Sequence, residues 1–193
     1  MSALAVQQRY TPEDLLAMPG GERFELVDGL LVEKKMGAES SWIANLIAAS
    51  ITQFVRRHGL GWVFNAECGY ECFPNDPHRV RKPDVSFVSR GRLPGDRVPG
   101  GHIPVAPDLA VEVTSPNDHY WEVREKVDEY LATGVRLVWV ADPRTRSIEL
   151  FRVNGSVSLL HITDEITGED VLSGYRCPLS DFFSPGPEAA PTS

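Results

Sequence analysis

Residues 135–142, VRLVWVAD, form an almost unbroken apolar run of strand length, and this run restricts the fold more than any other stretch of the chain. A strand without polar alternation has no face to offer water, so it belongs in the middle of a sheet covered on both sides. The flanking segments supply the covering layers. Residues 40–58 place Ile43, Leu46, Ile47, Ile51, Phe54 and Val55 at helical spacing and stop at Gly59. Residues 119–133 predict a second helix, capped by SPND and ended by Gly134, with Tyr120, Val123, Val127, Tyr130 and Leu131 as its core-facing stripe. Shorter strands are expected in GWVFNAECGYECF, in PDVSFVSR and over residues 108–114. Thr11 and Pro12 open a short N-terminal helix. RFELVDGLLVEKK turns back on itself at Asp28-Gly29, and SIELFRV and SVSLLHIT do so at Asn154-Gly155. The expected fold is α/β, a mixed β-sheet flanked by helices with added N- and C-terminal β-hairpins. It occupies residues 1–183 as one domain, followed by a disordered tail over 184–193.

The chain has 193 residues, a length suited to one well-buried core. No apolar run approaches the roughly 20 residues that span a bilayer, and the N-terminus lacks the basic flank and apolar stretch of a signal peptide. A cytoplasmic location is expected, with no membrane partner. Cys68, Cys72 and Cys177 match no zinc spacing, the histidines are scattered, and buried free thiols are the simpler reading. A net charge of −8 argues against a protein that merely coats nucleic acid. The charge is uneven, however. Arg79, Arg81, Lys82, Arg90, Arg92 and Arg97 crowd one segment, which is either a solvated loop or a phosphate-facing surface.

The strand at 108–114 contains an acid, Glu112, between Val111 and Val113. Side chains alternate along a strand, so Glu112 shares a face with Ala110 and Thr114, opposite Leu109, Val111 and Val113. Asp84 similarly shares a face with Ser86, opposite Val85 and Phe87. If the two strands are neighbours with these faces aligned, two carboxylates project into one shallow space. Such a pair repels itself unless one acid takes up a proton or a cation sits between them. A divalent ion with oxygen preference, Mg²⁺, suits that place. The alternatives are an arginine partner for Glu112 and a turn-capping role for Asp84. Lys126, on the margin of the helical stripe, can aim its ammonium at the end of the sheet or pair with Glu122 on the helix surface. Glu25 alternates with Phe24 and Leu26 and is a weaker candidate.

Taken in order, RFELVDGLLVE, RKPDVSFV, APDLAVEVTSPND, REKVDEYLATGVRLVWVADPRT and GEDVLSGYRCPLSDFF resemble the Uma-type family of putative restriction endonucleases, in the PD-(D/E)XK nuclease superfamily. The resemblance spans about residues 10–183. It implies a restriction-endonuclease-like core with Asp84 and Glu112 as metal-binding carboxylates. It also implies Glu25 as an acidic site residue of the first hairpin. The superfamily's lysine is expected at the position of Thr114, and the family match moves that role to Lys126. Many relatives carry a histidine or polar cluster before the long helix, where this chain has GAESSW. The implied activity is Mg²⁺- or Mn²⁺-dependent endonucleolytic hydrolysis of DNA, with Arg79, Arg81, Lys82, Arg90 and Arg92 gripping the backbone. The other readings are a non-catalytic module binding nucleic acid or protein on the same fold, and a hydrolase of small phosphoesters. A homodimer is a plausible assembly for cutting two strands.

Overall fold

The computed structural model describes residues 8–116, 118–184 and 186. Of the expected tail, 185 and 187–193 lie outside the described residues. The chain opens with α1 (Pro12–Ala17), where Thr11 and Asp14 form a reciprocal capping box. The hairpin of β1 (Phe24–Val27) and β2 (Leu30–Glu33) follows. Its turn residues Asp28 and Gly29 both have positive φ, 52° and 77°, the backbone that matches strand twist in a two-residue loop. Next come α2 (Ala38–His58), β3 (Gly61–Asn65), β4 (Val85–Ser89) and β5 (Leu109–Val113). The remainder is α3 (Tyr120–Ala132), β6 (Leu137–Asp142), β7 (Ser147–Arg152), β8 (Val157–His161), β9 (Glu165–Gly168) and β10 (Leu172–Pro178).

Six strands make one sheet in the order β3-β4-β5-β6-β7-β8. Only β5 and β6 run parallel, because α3 forms the crossover between them. β6 is central and buried, as its apolar run requires. The odd residues Leu109, Val111 and Val113 join Val85, Phe87, Leu137 and Trp139 against Ile43, Ile47, Ile51 and Val55 of α2. The opposite face, with Ala110, Val138 and Val140, packs on Val127 and Tyr130 of α3.

Three expectations change. The pair β7 and β8 is no added hairpin but continues the main sheet. The separate C-terminal hairpin is β9–β10, over the α2 face. The cap of α3 is His119, paired reciprocally with Glu122, while the Asp118 carboxylate accepts from the Ser115 amide. Tyr120 is 69% exposed and does not belong to the core stripe. The long loop of residues 89–107 is anchored by buried Leu93 and Ile103, the latter bridged to Tyr70. Among the described residues, no helix is long and apolar enough to cross a membrane.

Candidate active site

The register of β4 on β5 pairs Val85 with Val111 and Ser86 with Ala110. One step further along, Asp84 stands opposite Glu112, at the end of the sheet where β4 begins and β5 finishes. Both acids are buried, Asp84 at 4% and Glu112 at 7% exposure. They open into a cleft of about 500 Å³ walled by the end of β2 on one side and the first turns of α3 on the other.

Each carboxylate is held by specific partners. Asp84 Oδ2 accepts from the Val113 amide at 2.7 Å. Its Oδ1 lies 2.6 Å from Lys34 Nζ, yet no donor is aligned to hydrogen-bond it. The contact with Lys34 is thus charge against charge. Glu112 Oε1 accepts from the Tyr130 hydroxyl at 2.7 Å, and Oε2 lies 3.6 Å from Lys126 Nζ. Burial pushes the Glu112 carboxyl above its ordinary range, with Asp84 and Glu25 adding to that rise and Lys126 and Lys34 opposing it.

Glu25, from β1, completes the polar floor. Its Oε1 accepts from the Lys82 amide at 2.8 Å, and Oε2 meets Arg81 Nη1 at 3.0 Å and Lys126 Nζ at 3.1 Å. Burial works to raise this carboxyl, but Lys126, Arg81 and Lys34 outweigh it and hold the group at about 2. Lys126 is correspondingly stabilised as the ammonium. Burial opposes its charge, and Glu112 and Glu25 more than compensate. Arg81 is in turn clamped from α3, its Nε and Nη2 donating to Glu129 Oε2 and Oε1 at 2.7 and 2.9 Å. Residues 126, 129 and 130 fall on one face of α3, so a single helix fixes Lys126, Arg81 and Glu112 together.

A scan against known families places the chain. Residues 12–180 match the Uma2 family, described as "putative restriction endonuclease". The chain belongs to the Uma2 family. Its fold is shared with a crystal structure from Anabaena variabilis described as "a putative nuclease belonging to DUF820". The two align with a TM-score of 0.75 at 22% identity, over 90% of this chain and 97% of that one. No curated protein matches the sequence.

In this Uma2 chain the four residues singled out as catalytic, Asp84, Glu112, Lys126 and Glu25, meet in one cleft. The basic segment behaves differently. Arg81 and Lys82 are buried, Lys82 donating to the carbonyls of Gly21 and Glu22 at 2.8 and 3.2 Å. Arg79 pairs with Asp28, Asp76 and Glu129. These three are committed to partners that brace the site, with Arg81 lining the cleft and Arg79 the groove beside α3. Arg92 pairs with Asp108 at 2.8 Å, and Arg90 is exposed. Both lie beyond β4 at the end opposite Asp84. Thr114 turns its hydroxyl to the Ala141 carbonyl. Lys34, Glu129 and the Tyr130 hydroxyl are site residues that sequence reasoning passed over. Burial pushes the Cys68 and Cys72 thiols up to about 11, so neither is a nucleophile at neutral pH.

Proposed function

We propose that the chain is a divalent-metal-dependent endonuclease that hydrolyses phosphodiester bonds in DNA. The observation that carries this reading is the side-by-side placement of Asp84 and Glu112 in a cleft that also holds the Lys34 and Lys126 ammonium groups. Among the described residues no three His, Cys, Asp or Glu side chains form a metal cluster. A magnesium site needs fewer, since one or two carboxylates with water and substrate phosphate suffice. The donors fit that pattern. Asp84 Oδ1 is buried without an aligned hydrogen-bond donor, and Glu112 Oε2 is held only by a 3.6 Å ionic contact. Both are hard oxygens.

Asp84 and Glu112 would hold Mg²⁺ or Mn²⁺. Bound there, such an ion supplies a water of lowered pKa and positive charge for the phosphate oxygens. The chain's own groups do the rest. Tyr130 fixes Glu112 Oε1 and so keeps Oε2 turned to the cleft. Lys126, held charged, presents N–H donors where negative charge grows on the phosphate, or orients the attacking water. Glu25 has both oxygens committed to Arg81, Lys82 and Lys126 and serves by positioning that lysine. Lys34, 2.6 Å from Asp84 Oδ1, holds that side chain in place.

The test is cleavage of single-stranded DNA and of supercoiled and linear duplex DNA with Mg²⁺ or Mn²⁺, comparing wild type with Asp84→Ala, Glu112→Ala and Lys126→Ala. Cutting by the wild type and loss in each variant is expected. Cutting that survives all three substitutions refutes the reading. A second reading, a non-catalytic binding module, is favoured by one observation: Lys34 already neutralises Asp84 within the fold. Such a module would cut nothing and bind no metal.

A further inference from the structure

The first turn of α3 carries two adjacent large aromatics in solvent, Tyr120 at 69% and Trp121 at 64% exposure. Neither anchors the helix, whose packing residues are Val127 and Tyr130. Trp121 lines the catalytic cleft and also a shallow groove beyond it that contains Tyr120, Arg79 and Arg124. The His119 and Trp121 rings lie nearly parallel, 8° apart with centroids at 6.1 Å. Exposed aromatic side chains beside a phosphate-cutting site are suited to bases, because every base presents a π-face.

Charge divides the cleft in a way that selects the form of nucleic acid. The β2 wall carries Lys34 and Lys35, with Glu33 only 3.7 Å from Lys35, and the floor carries Lys126 and Arg81. The α3 wall carries Trp121 together with Glu122 and Glu125, and the outer groove holds Tyr120 with Asp128 and Glu129 against Arg79 and Arg124, so acids outnumber basic side chains on this side. A duplex carries phosphates along both strands and would set one row against the acids of α3. A single strand has phosphates on one side and bases on the other. It fits with its backbone toward the β2 wall and its bases on Trp121 and Tyr120.

We propose that Trp121 and Tyr120 form a base-stacking platform, and that the strand entering this cleft is unpaired DNA. The proposal rests on the nuclease reading for the fate of the strand, but its binding step needs no catalysis. The experiment is fluorescence anisotropy of a labelled 20-mer, single-stranded or duplex, with the full chain in EDTA. Wild type binds the single strand roughly 10-fold or more tightly than the duplex. The Tyr120→Ala/Trp121→Ala double variant loses roughly 10-fold or more of the single-strand affinity, as expected for the loss of a stacked base. The Tyr120→Phe/Trp121→Phe variant keeps most of it, and circular dichroism confirms that both variants fold, since neither side chain is buried. Equal or tighter binding of the duplex overturns the proposal, as does unchanged single-strand binding by the alanine variant. Either result beside normal DNA cleavage leaves the nuclease reading standing. Intact platform binding without any cleavage removes that reading and keeps the platform.

Discussion

Lys126→Met tests whether one ammonium really holds two buried acids. Lys126 Nζ is 3.1 Å from Glu25 and 3.6 Å from Glu112, and at an effective dielectric constant of about 20 each contact carries roughly 5 kcal/mol of attraction. Dehydrating the ammonium offsets much of that, and breaking a buried pair typically costs about 3–5 kcal/mol. The two acids do not lose equally. Glu25 keeps Arg81 and the Lys82 amide, whereas Glu112 keeps a hydrogen bond from Tyr130 and loses its closest cation. Glu112 therefore escapes by taking a proton, at about 1.4 kcal/mol per unit of pKa shift. A carboxyl whose folded pKa lies above its ordinary 4.5 binds more protons folded than unfolded, so stability rises as pH falls toward that ordinary value. We expect Lys126→Met to cost about 3 kcal/mol in urea unfolding at about pH 8 without metal, and clearly less at about pH 5. Adding Glu112→Gln to it should restore most of the loss at the higher pH. A penalty that is independent of pH, or a double variant no more stable than Lys126→Met, would refute this account of Lys126.

Arg81→Lys should behave as a severe change, because the paired donation to Glu129 and the contact with Glu25 need the planar fork. We expect a loss of about 3 kcal/mol by chemical unfolding together with reduced cleavage, and near-wild-type stability would show that the clamp is unimportant. The Glu25 carboxyl, held at about 2 by Lys126 and Arg81 against the raising effect of burial, sets an acid limb. Its contribution is complete above its ordinary 4.5 and is lost as pH falls toward 2. Glu25→Gln should therefore flatten the pH dependence of the unfolding midpoint in that window, and an unchanged acid limb would contradict the assignment.

The layered sheet could be read from the sequence because its signals are local: an apolar run in β6, helical spacing in α2, and Asp28-Gly29 at a turn. Asp84 and Glu112 were legible for a related reason, since alternation alone gives each acid its face, and the register of β4 on β5 then brings the faces together. The function of the basic run was not legible. Arg81 and Lys82 are buried by Glu25 and Glu129, which lie 48 to 57 positions away. A cluster of charges looks like a surface until its distant partners are known. Lys34 was missed because only the docking of the β1–β2 hairpin carries it to Asp84, 50 positions on. Tyr130 is rightly placed in the core, but nothing in a helical stripe says that its hydroxyl ends on Glu112. Tyr120 shows the reverse error: its spacing fits the stripe, yet it is the first residue of the helix and stays exposed, the fully buried positions being Val127 and Tyr130.

Calorimetric titration of Mn²⁺ into the metal-free chain is the most direct test of the central claim, that Asp84 and Glu112 are a pair of metal-binding carboxylates. Saturable binding by the wild type, lost in both Asp84→Asn and Glu112→Gln, is the expected result. Binding that persists in both variants, or no binding by the wild type, would contradict it.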